Sequence, residues 1–426
     1  MNYFLLFAPS LLCAVAFAQL ALVETGHLAL HWFVPAGVLA GCTGSCAWVL
    51  HRRLPGHDRL LLPLVSMLVG LGLAMVARLA PPAFLTRQLA WLGLGSAALL
   101  AVAVVPRQLR WLRRYRYTWL LAGLGLLLLT LVLGVNPSGV GARLWLGLGS
   151  FYFQPSELLK LLLIVFLASY LGERHQVLVE VEVRLGRWRL PHPAYFGPLL
   201  LMWGFSLVLL VWQRDLGAAL LFFGVFLGML YAATGQGRYV LAGLILLGAV
   251  SAVGYYLFDH VALRVDAWLN PWSEAAGRSF QIVQSLLALA SGGVLGQGLD
   301  QGLPTAIPVV HTDFVFAAIG EELGLLGALG VLICLALLVG RAFRIALRAR
   351  RPFDQLLAAG IGTLLGLQSL VIVTGTLKLI PLTGVTLPFV SYGGSSLLVS
   401  MIMVGLLLHI SGHAAGVQLA LNPERT

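Results

Sequence analysis

Apolar stretches long enough to cross a lipid bilayer recur along almost the whole chain, and this recurrence limits the fold more than any single motif. The chain has 426 residues, of which 59% are hydrophobic and only 10% are charged. A soluble domain would carry about a quarter charged residues, whereas a run of about 20 apolar residues forms one membrane-crossing helix. We therefore expect an all-α polytopic membrane protein with about twelve transmembrane helices. They are predicted near residues 3–24, 29–50, 59–79, 84–105, 116–135, 156–172, 195–212, 216–234, 238–258, 314–340, 353–379 and 393–411.

Basic residues outnumber acidic ones by 27 to 16, and they are concentrated in alternate loops. By the positive-inside rule these loops face the cytoplasm, which places both termini inside the cell. No basic run is interleaved with aromatic residues on a soluble module, so nucleic-acid binding is not expected. The arginines of these loops cluster near residues 52–59, 107–116, 174–189 and 341–351.

The opposite loops then face outward, and the longest of them covers residues 259–313. Loops of this length tend to be functional or disordered. The apolar stretch 282–289 within it predicts that the loop folds back onto the membrane surface or re-enters the membrane. The other outward loops lie near residues 135–156 and 380–392.

Three acidic residues lie close together in HTDFVFAAIGEELG, residues 311–324. An acidic side chain costs about 2.5–3.5 kcal/mol at mid-bilayer, so each needs a use or a partner. Asp313 falls at the end of the longest outer loop, whereas Glu321 and Glu322 lie roughly 12–14 Å further along a helix that rises 1.5 Å per residue. Asp313 is the candidate functional group, and the glutamates are interpreted as structural or partner-orienting groups.

Several charges near the predicted outer helix ends are not explained by the positive-inside rule. Any one of these basic residues is explained if its side chain extends to the lipid phosphates. Together with Asp215 and Asp313, the group favours an outer cavity that binds an anionic ligand. The basic residues are Arg78, Arg87, Arg143, Arg214, Arg264, Arg278 and Lys378.

Two further stretches place polar groups next to apolar helices. In FQPSELLK, Glu157 and Lys160 share a helix face as an ion pair, which either ties two helices together or lines a cavity and sets its charge. In IPLTGVTLPFVSYGGSS, residues 380–396, proline and glycine interrupt the helix. A non-helical stretch at membrane depth is tolerated only against protein or a wet cavity. Its hydroxyls, including Ser391 and Ser395, either hold phosphate or sugar or belong to an ordinary packed loop.

These stretches together resemble the SEDS family (shape, elongation, division and sporulation), of the RodA/FtsW type. The resemblance covers roughly residues 59–412 and rests on several motifs in one order. They are R-x-W-L-G-L-G followed by F-Q-P-S-E-L-x-K (143–160), Q-x-D-L-G-x-A (213–219), F-Q-I-V-Q-S (280–285), S-G-G-x-x-G-x-G-L (291–299), H-T-D-F-V-F with G-E-E-L-G (311–324), and S-Y-G-G-S-S (391–396).

The resemblance implies a peptidoglycan glycosyltransferase. The family polymerises lipid II into glycan strands at the outer face of the cytoplasmic membrane, with a class B penicillin-binding protein as the crosslinking partner. It also implies a core of about ten helices, with the long outer loop between core helices seven and eight. Residues 1–55 are then an N-terminal two-helix extension, 56–412 the core and 413–426 a short cytoplasmic tail. The first helix is expected to stay uncleaved, because a basic region typical of a signal peptide is missing.

The same resemblance implies the roles of the site residues. Asp313 is the expected catalytic base for an inverting transfer, no organic cofactor is expected, and the diphosphate chemistry allows a divalent cation, Mg or Mn, to assist. The sequence departs from the family at Val309 and Val310, where an acidic residue often precedes the histidine, at Arg214, where proline is usual, and at Lys378, where glycine is common. The expected substrate-binding or supporting residues are Glu157, Lys160, Arg87, Arg143, Asp215, Arg264, Gln281, Lys378, Ser391 and Ser395.

Two other functions stay open at this point. A lipid II flippase would need charged groups reachable from both membrane faces, whereas the candidate groups collect in the outer half. A non-catalytic scaffold for the crosslinking partner would tolerate the loss of Asp313. The sequence does not separate a role in elongation from a role in division.

Overall fold

The computed structural model describes residues 3–106, 108–136, 142–148, 151–180, 182–185, 188–191 and 193–421. Within these residues, eleven helices are long and apolar enough to cross a membrane, and the predicted stretch near 195–212 forms a further apolar helix, α8. The prediction of an all-α polytopic membrane protein is confirmed. The long helices are α1 (Tyr3–Thr25), α2 (Val34–Arg53), α3 (Leu61–Leu79), α4 (Pro82–Val104), α6 (Arg116–Leu133), α7 (Pro155–Glu180), α8 (Pro193–Trp212), α9 (Leu216–Thr234), α10 (Gly237–Leu257), α15 (Gly324–Arg348), α16 (Pro352–Thr376) and α17 (Gly394–Leu421).

The short elements lie in the connections between the long helices. The strands form two antiparallel hairpins, one between α6 and α7 and one between α7 and α8. The connection between α10 and α15 contains four short α-helices. The short helices are α5 (Arg110–Arg114), α11 (Asp259–Leu269), α12 (Phe280–Gly292), α13 (Val310–Asp313) and α14 (Val315–Glu322), and the strands are β1 (Leu146–Leu148), β2 (Phe151–Phe153), β3 (Glu182–Leu185) and β4 (Trp188–Pro191).

The core of the bundle is built by helices that are apolar on every side. Most of α7, α16, α17 and α3 is buried by neighbouring helices, whereas almost all of α10 is exposed. A helix that is hydrophobic all round and exposed faces lipid. The N-terminal pair α1 and α2 packs against α3 and α4, so the predicted extension lies directly on the rest of the bundle.

The long outer loop packs against the bundle through α12. Its apolar stretch, for which a return to the membrane surface or re-entry was predicted, forms a helix of 13 residues. Ile282, Val283 and Ala288 are buried, and the helix packs against α14. The loop is therefore anchored to the helix that follows Asp313.

The predicted span at 314–340 is wrong at its start, because the helix is interrupted between α14 and α15. Gly324 has φ +65°, a left-handed conformation that favours glycine. The interrupted backbone bonds to the glycine-rich segment that follows α12: the Gln297 amide donates to the Glu321 carbonyl at 2.9 Å, and the Leu325 amide donates to the Gly293 carbonyl at 3.0 Å. The spanning helix therefore begins at Gly324.

This backbone contact requires glycine on both sides. A Cβ at Gly292 would lie 1.9 Å from the Gly320 carbonyl oxygen, and one at Gly296 would lie 2.3 Å from the Glu322 carbonyl oxygen. The glycines of the motif S-G-G-x-x-G-x-G-L thus allow the two backbones to approach each other closely.

At the other end of the chain, α17 continues to Leu421, so the helix extends into the residues predicted as a tail.

Candidate functional site

The outer loop between α16 and α17, residues 377–393, lies directly against α13. Ser391 Oγ donates to the Thr312 carbonyl at 2.6 Å and accepts the Leu387 amide at 2.9 Å. The Tyr392 amide donates to the His311 carbonyl at 2.9 Å. The non-helical stretch predicted from proline and glycine therefore packs against the segment that carries Asp313.

Asp313 ends α13 and is half-buried. A Cβ placed on Gly384 of the α16–α17 loop would lie 3.6 Å from Asp313 Oδ2, so the loop backbone passes close to the carboxyl group. Burial raises the pKa of Asp313 to about 6, while the Thr312 hydrogen bond and the charge of Arg264 oppose the rise. A carboxyl group with this pKa can accept a proton near neutral pH, as a general base must.

Arg264 binds the backbone of the same loop next to Gly384. Its Nη1 donates to the carbonyls of Leu382 and Thr383, both at 3.2 Å. Among the ion pairs of the described residues none involves Asp313. The guanidinium therefore acts on Asp313 through its charge at longer range.

Glu157 and Lys160 form the predicted ion pair. Lys160 Nζ donates to Glu157 Oε1 at 2.8 Å and to Gln368 Oε1 at 3.3 Å. Gln368 Nε2 in turn donates to the Thr386 carbonyl at 2.8 Å. The pair is buried and joins α7 to α16 and to the same outer loop that passes Asp313.

Asp215 and Ser395 belong to a second chain of hydrogen bonds. Asp215 caps α9 by accepting the Ala218 amide at 3.1 Å, and its Oδ2 accepts Ser156 Oγ at 3.0 Å. The Gln154 amide donates to Ser395 Oγ at 3.2 Å, and its side chain donates to Ser156 Oγ at 3.0 Å. Burial raises the pKa of Asp215, and the hydrogen bonds from the Ala218 amide and the Ser156 hydroxyl oppose the rise.

Arg87 lies in an aromatic cluster beside α13. Its guanidinium carbon is 5.9 Å from the ring centre of Phe84. Burial raises the pKa of Tyr392, and the hydrogen bond and charge of Arg87 oppose this rise. The rings of Phe84 and His311 are 5.2 Å apart, and those of Phe84 and Tyr392 are 4.7 Å apart. This places Arg87 as a basic group beside the segment that carries Asp313.

The other predicted residues differ in how they are placed. Lys378 has φ +58°, and its carbonyl accepts Trp268 Nε1 at 3.0 Å. Gln281 Nε2 donates to the Pro308 carbonyl at 3.4 Å. Arg143 lines a separate cavity of about 510 Å³ together with Trp212. Thus Arg143 is not brought into contact with the Asp313 segment, whereas the α16–α17 loop contacts that segment and carries Lys378.

Sequence reasoning missed Gln368 and Thr386, which connect the buried ion pair to the outer loop. A glutamine inside an apolar helix was a usable signal, since a buried amide needs hydrogen-bond partners. Thr386 carried no such signal, because its contribution is a backbone carbonyl.

Glu321 and Glu322 form contacts that support their structural interpretation. Arg78 Nε lies 3.0 Å from Glu322 Oε1 and 2.5 Å from Asp300 Oδ1. Glu321 Oε1 accepts the Leu303 amide at 2.9 Å. These contacts hold the long outer loop on α14.

The described residues bring together no group of three or more His, Cys, Asp or Glu side chains that could hold a metal ion. The donors near Asp313 therefore do not fit a metal site built by this chain alone. The expected assistance of a divalent cation stays a prediction, and no step proposed below uses one.

Comparison with known proteins identifies relatives along most of the chain. The model of the FtsW/RodA/SpoVE family, described as cell cycle proteins, matches residues 59–416. The peptidoglycan glycosyltransferase RodA of Mycobacterium tuberculosis is 38% identical over 97% of this chain and 92% of its own length. A probable peptidoglycan glycosyltransferase FtsW of Geobacter metallireducens is 39% identical over 78% of this chain and 86% of its own length.

Solved structures share the fold. One chain from a study of the structural coordination of polymerization and crosslinking by a peptidoglycan synthase complex superposes with a TM-score of 0.70, at 31% identity, over 84% of this chain and 98% of that chain. The rod shape determining protein RodA of Thermus thermophilus superposes with a TM-score of 0.61, at 30% identity, over 83% of this chain and 96% of that chain.

Proposed function

This chain belongs to the FtsW/RodA/SpoVE family of cell cycle proteins and is a peptidoglycan glycosyltransferase, and we propose that Asp313 is the general base with which it polymerises lipid II. The observation that carries this proposal is the half-buried carboxyl group beside the Gly384 backbone, with a pKa of about 6. A base with a pKa near the operating pH is both ionised and basic enough to accept a proton.

The chemistry of the substrate requires one base and an anion-binding site. The donor sugar is bonded at its anomeric carbon to a diphosphate, which is a stable anion and departs without being protonated. The acceptor hydroxyl is a poor nucleophile until its proton is removed. Asp313 takes that proton while the oxygen forms a bond to the anomeric carbon, the bond to the diphosphate breaks, and the configuration inverts.

The basic groups near Asp313 have two roles in this proposal. Arg87 and Lys378 bind the diphosphate, because they flank the Asp313 segment from α4 and from the α16–α17 loop. Arg143 contacts a more distant part of the substrate from its separate cavity. Glu157, Lys160 and Asp215 position the loop and the start of α9 through the hydrogen-bond chains described above.

The protein is a multi-pass membrane protein, and we assign it to the bacterial cytoplasmic membrane with both termini inside. The arginine-rich alternate loops support this orientation, which places Asp313 at the outer face. A class B penicillin-binding protein is its proposed partner, since one matched structure comes from a complex that combines polymerization with crosslinking. Lipid II is the proposed substrate because it carries both the diphosphate and the acceptor sugar.

The decisive experiment is glycan polymerisation from purified lipid II by the full chain in detergent, where no transport across a membrane can contribute. Asp313→Asn should lower the rate on the order of 10²–10⁴-fold, the usual contribution of a general base. Asp259→Asn is the matched control, because Asp259 is an exposed carboxylate of the same outer loop.

Normal polymer from Asp313→Asn would overturn the assignment of the base. No polymer from the wild-type chain, alone or with its crosslinking partner, would favour the flippase. Unchanged growth of cells that carry Asp313→Asn as their only copy would favour the scaffold.

A further inference from the structure

Two neighbouring cavities lie at the end of the bundle opposite to Asp313, the end assigned to the cytoplasm. The first has a volume of about 280 Å³ and lies between the α2–α3 loop, the end of α15 and α17. We call it the basic cavity, since its lining includes four arginines. They are Arg59, Arg341, Arg344 and Arg348.

The single carboxylate of the basic cavity is already satisfied by protein groups. Asp58 Oδ2 accepts Arg341 Nε at 2.9 Å, and Asp58 Oδ1 accepts the Leu60 amide at 3.0 Å. The Asp58 amide donates to Ser411 Oγ at 3.0 Å. Asp58 therefore balances Arg341 and positions the loop.

The other three arginines keep an uncompensated positive charge. Arg59, Arg344 and Arg348 are exposed, and the ion pairs recorded for the described part of the chain do not include them. His57 adds no charge near neutral pH, because burial lowers its pKa. The cavity therefore has the charge and the guanidinium geometry that bind phosphate oxygens.

The second cavity is apolar and adjoins the first. It has a volume of about 220 Å³ and shares His57, Arg59 and Leu60 with the basic cavity. Its remaining lining comes from three helices, α1, α2 and α3, and we call it the apolar cavity. These residues are Leu5, Leu6, Ala47, Leu62 and Pro63.

We propose that the two cavities form one binding site for an anionic phospholipid. The phosphate lies among Arg59, Arg344 and Arg348, and one acyl chain lies along the apolar cavity. A cavity that is basic on one side and apolar on the other, at the end of membrane-crossing helices, matches the two chemistries of such a lipid. Basic pockets between membrane helices on the cytoplasmic side are suited to anionic headgroups.

The N-terminal extension gains a function from this site. Leu5 and Leu6 belong to α1 and Ala47 to α2, and both helices precede the residues that the family model matches. The family core supplies the arginines, while the extension supplies much of the apolar wall. The bound lipid would thus join the extension to the core.

The test is native mass spectrometry of the full chain released from detergent that contains a defined phospholipid. Phosphatidylglycerol should remain bound with a stoichiometry of one, whereas phosphatidylcholine and glycerol phosphate should not. Each arginine near an anionic headgroup contributes about a fivefold factor in affinity. The double variant R344A/R348A should therefore bind phosphatidylglycerol about 30-fold more weakly.

The matched control is R350A/R351A, which removes the same charge from two exposed arginines outside the cavity lining. An equal loss of affinity in the control, or equal retention of phosphatidylcholine, would overturn the site. Equal binding of glycerol phosphate would overturn the role of the apolar cavity. Leu60→Ser places a polar side chain at the junction of both cavities and should weaken the binding of phosphatidylglycerol. Because the readout is lipid binding, its failure would leave the polymerisation proposal intact.

Discussion

Asp313 ends α13 and Glu322 ends α14, the short helix that follows, yet the surroundings of the two acids are opposite. The Glu322 side chain is fully buried and pairs with Arg78, which also binds Asp300. Asp313 is half-buried, faces a loop backbone and has no ion pair among the described residues. The charge of Glu322 is thus matched within the fold, whereas Asp313 has no such partner among the described residues, as its proposed role as a base requires.

The largest expected effect is the loss of stability when the buried Glu322 side chain is removed. Glu322→Ala leaves Arg78 with Asp300 as its remaining carboxylate, beside the Gly302 carbonyl. It should reduce the free energy of unfolding by about 3–5 kcal/mol, the usual result of removing one partner of a buried pair. Chemical unfolding in detergent measures it. Asp313→Asn should change the same quantity by less than about 1 kcal/mol.

Glu274→Ala is the control for this measurement, because Glu274 pairs with Arg278 on the exposed surface at 3.7 Å. It should leave the stability unchanged. Equal losses from Glu322→Ala and Asp313→Asn would remove the distinction between the two acids.

The next effect concerns the Glu157–Lys160 pair, which is buried like Glu322 but is linked to the loop beside Asp313. Glu157→Ala leaves the Lys160 ammonium buried without its carboxylate and should cost about 3 kcal/mol of stability, together with polymerisation. The double variant E157L/K160M replaces both charges with apolar side chains and should recover most of the stability. A recovered fold without polymer would show that the pair acts on the reaction, whereas a stable and active double variant would make it purely structural.

A smaller effect follows from the pKa of Asp313, about 6. A base works only when deprotonated, so kcat/KM for lipid II should be half-maximal near pH 6, level off at higher pH and fall about tenfold per pH unit at lower pH. Arg264 opposes the rise of this pKa, so Arg264→Leu should move the falling limb to higher pH and Arg264→Lys should restore it. Arg278→Leu, which removes an exposed charge from the same loop, should leave the limb in place; an equal shift there would refute the role of Arg264.

The smallest effect concerns backbone strain in the loop beside Asp313. Lys378 has φ +58°, a conformation that costs a side-chain-bearing residue roughly 1–2 kcal/mol. Lys378→Gly should stabilise the protein by up to about 1 kcal/mol, since glycine takes this conformation freely. If the ammonium binds the diphosphate, the same variant should raise KM for lipid II.

Leu377→Gly is the control, because the φ of Leu377 is −79° and glycine there should only destabilise. A loss of stability in Lys378→Gly would mean that the side chain supports the fold.

The membrane helices could be predicted because their signal is local. A continuous apolar run needs no partner to be recognised, and the Glu157–Lys160 pair follows from helical spacing alone. The interruption at Gly324 was missed, although Glu321, Glu322 and Gly324 break the apolar run there. It depends on backbone bonds to residues 293–298, and these appear only when the long loop is folded.

The site could be predicted only in part for the same reason. Asp313 was predicted as the base from its position and from family resemblance, and this role stays a prediction. The route by which Lys160 reaches the outer loop, through Gln368 and the Thr386 carbonyl, depends on how α7 and α16 pack. The pairing of Arg78 with Glu322 depends in the same way on how α3 meets α14.

The glycine contacts between the long loop and the α14–α15 interruption bear on how genetic screens of this protein should be interpreted. Any side chain at Gly292 or Gly296 would overlap a backbone carbonyl, so every substitution there should abolish growth as completely as the loss of Asp313. Such positions would score as essential because the fold depends on them. Protein abundance in the membrane must therefore be measured beside growth, because it falls for the glycine variants and holds for Asp313→Asn.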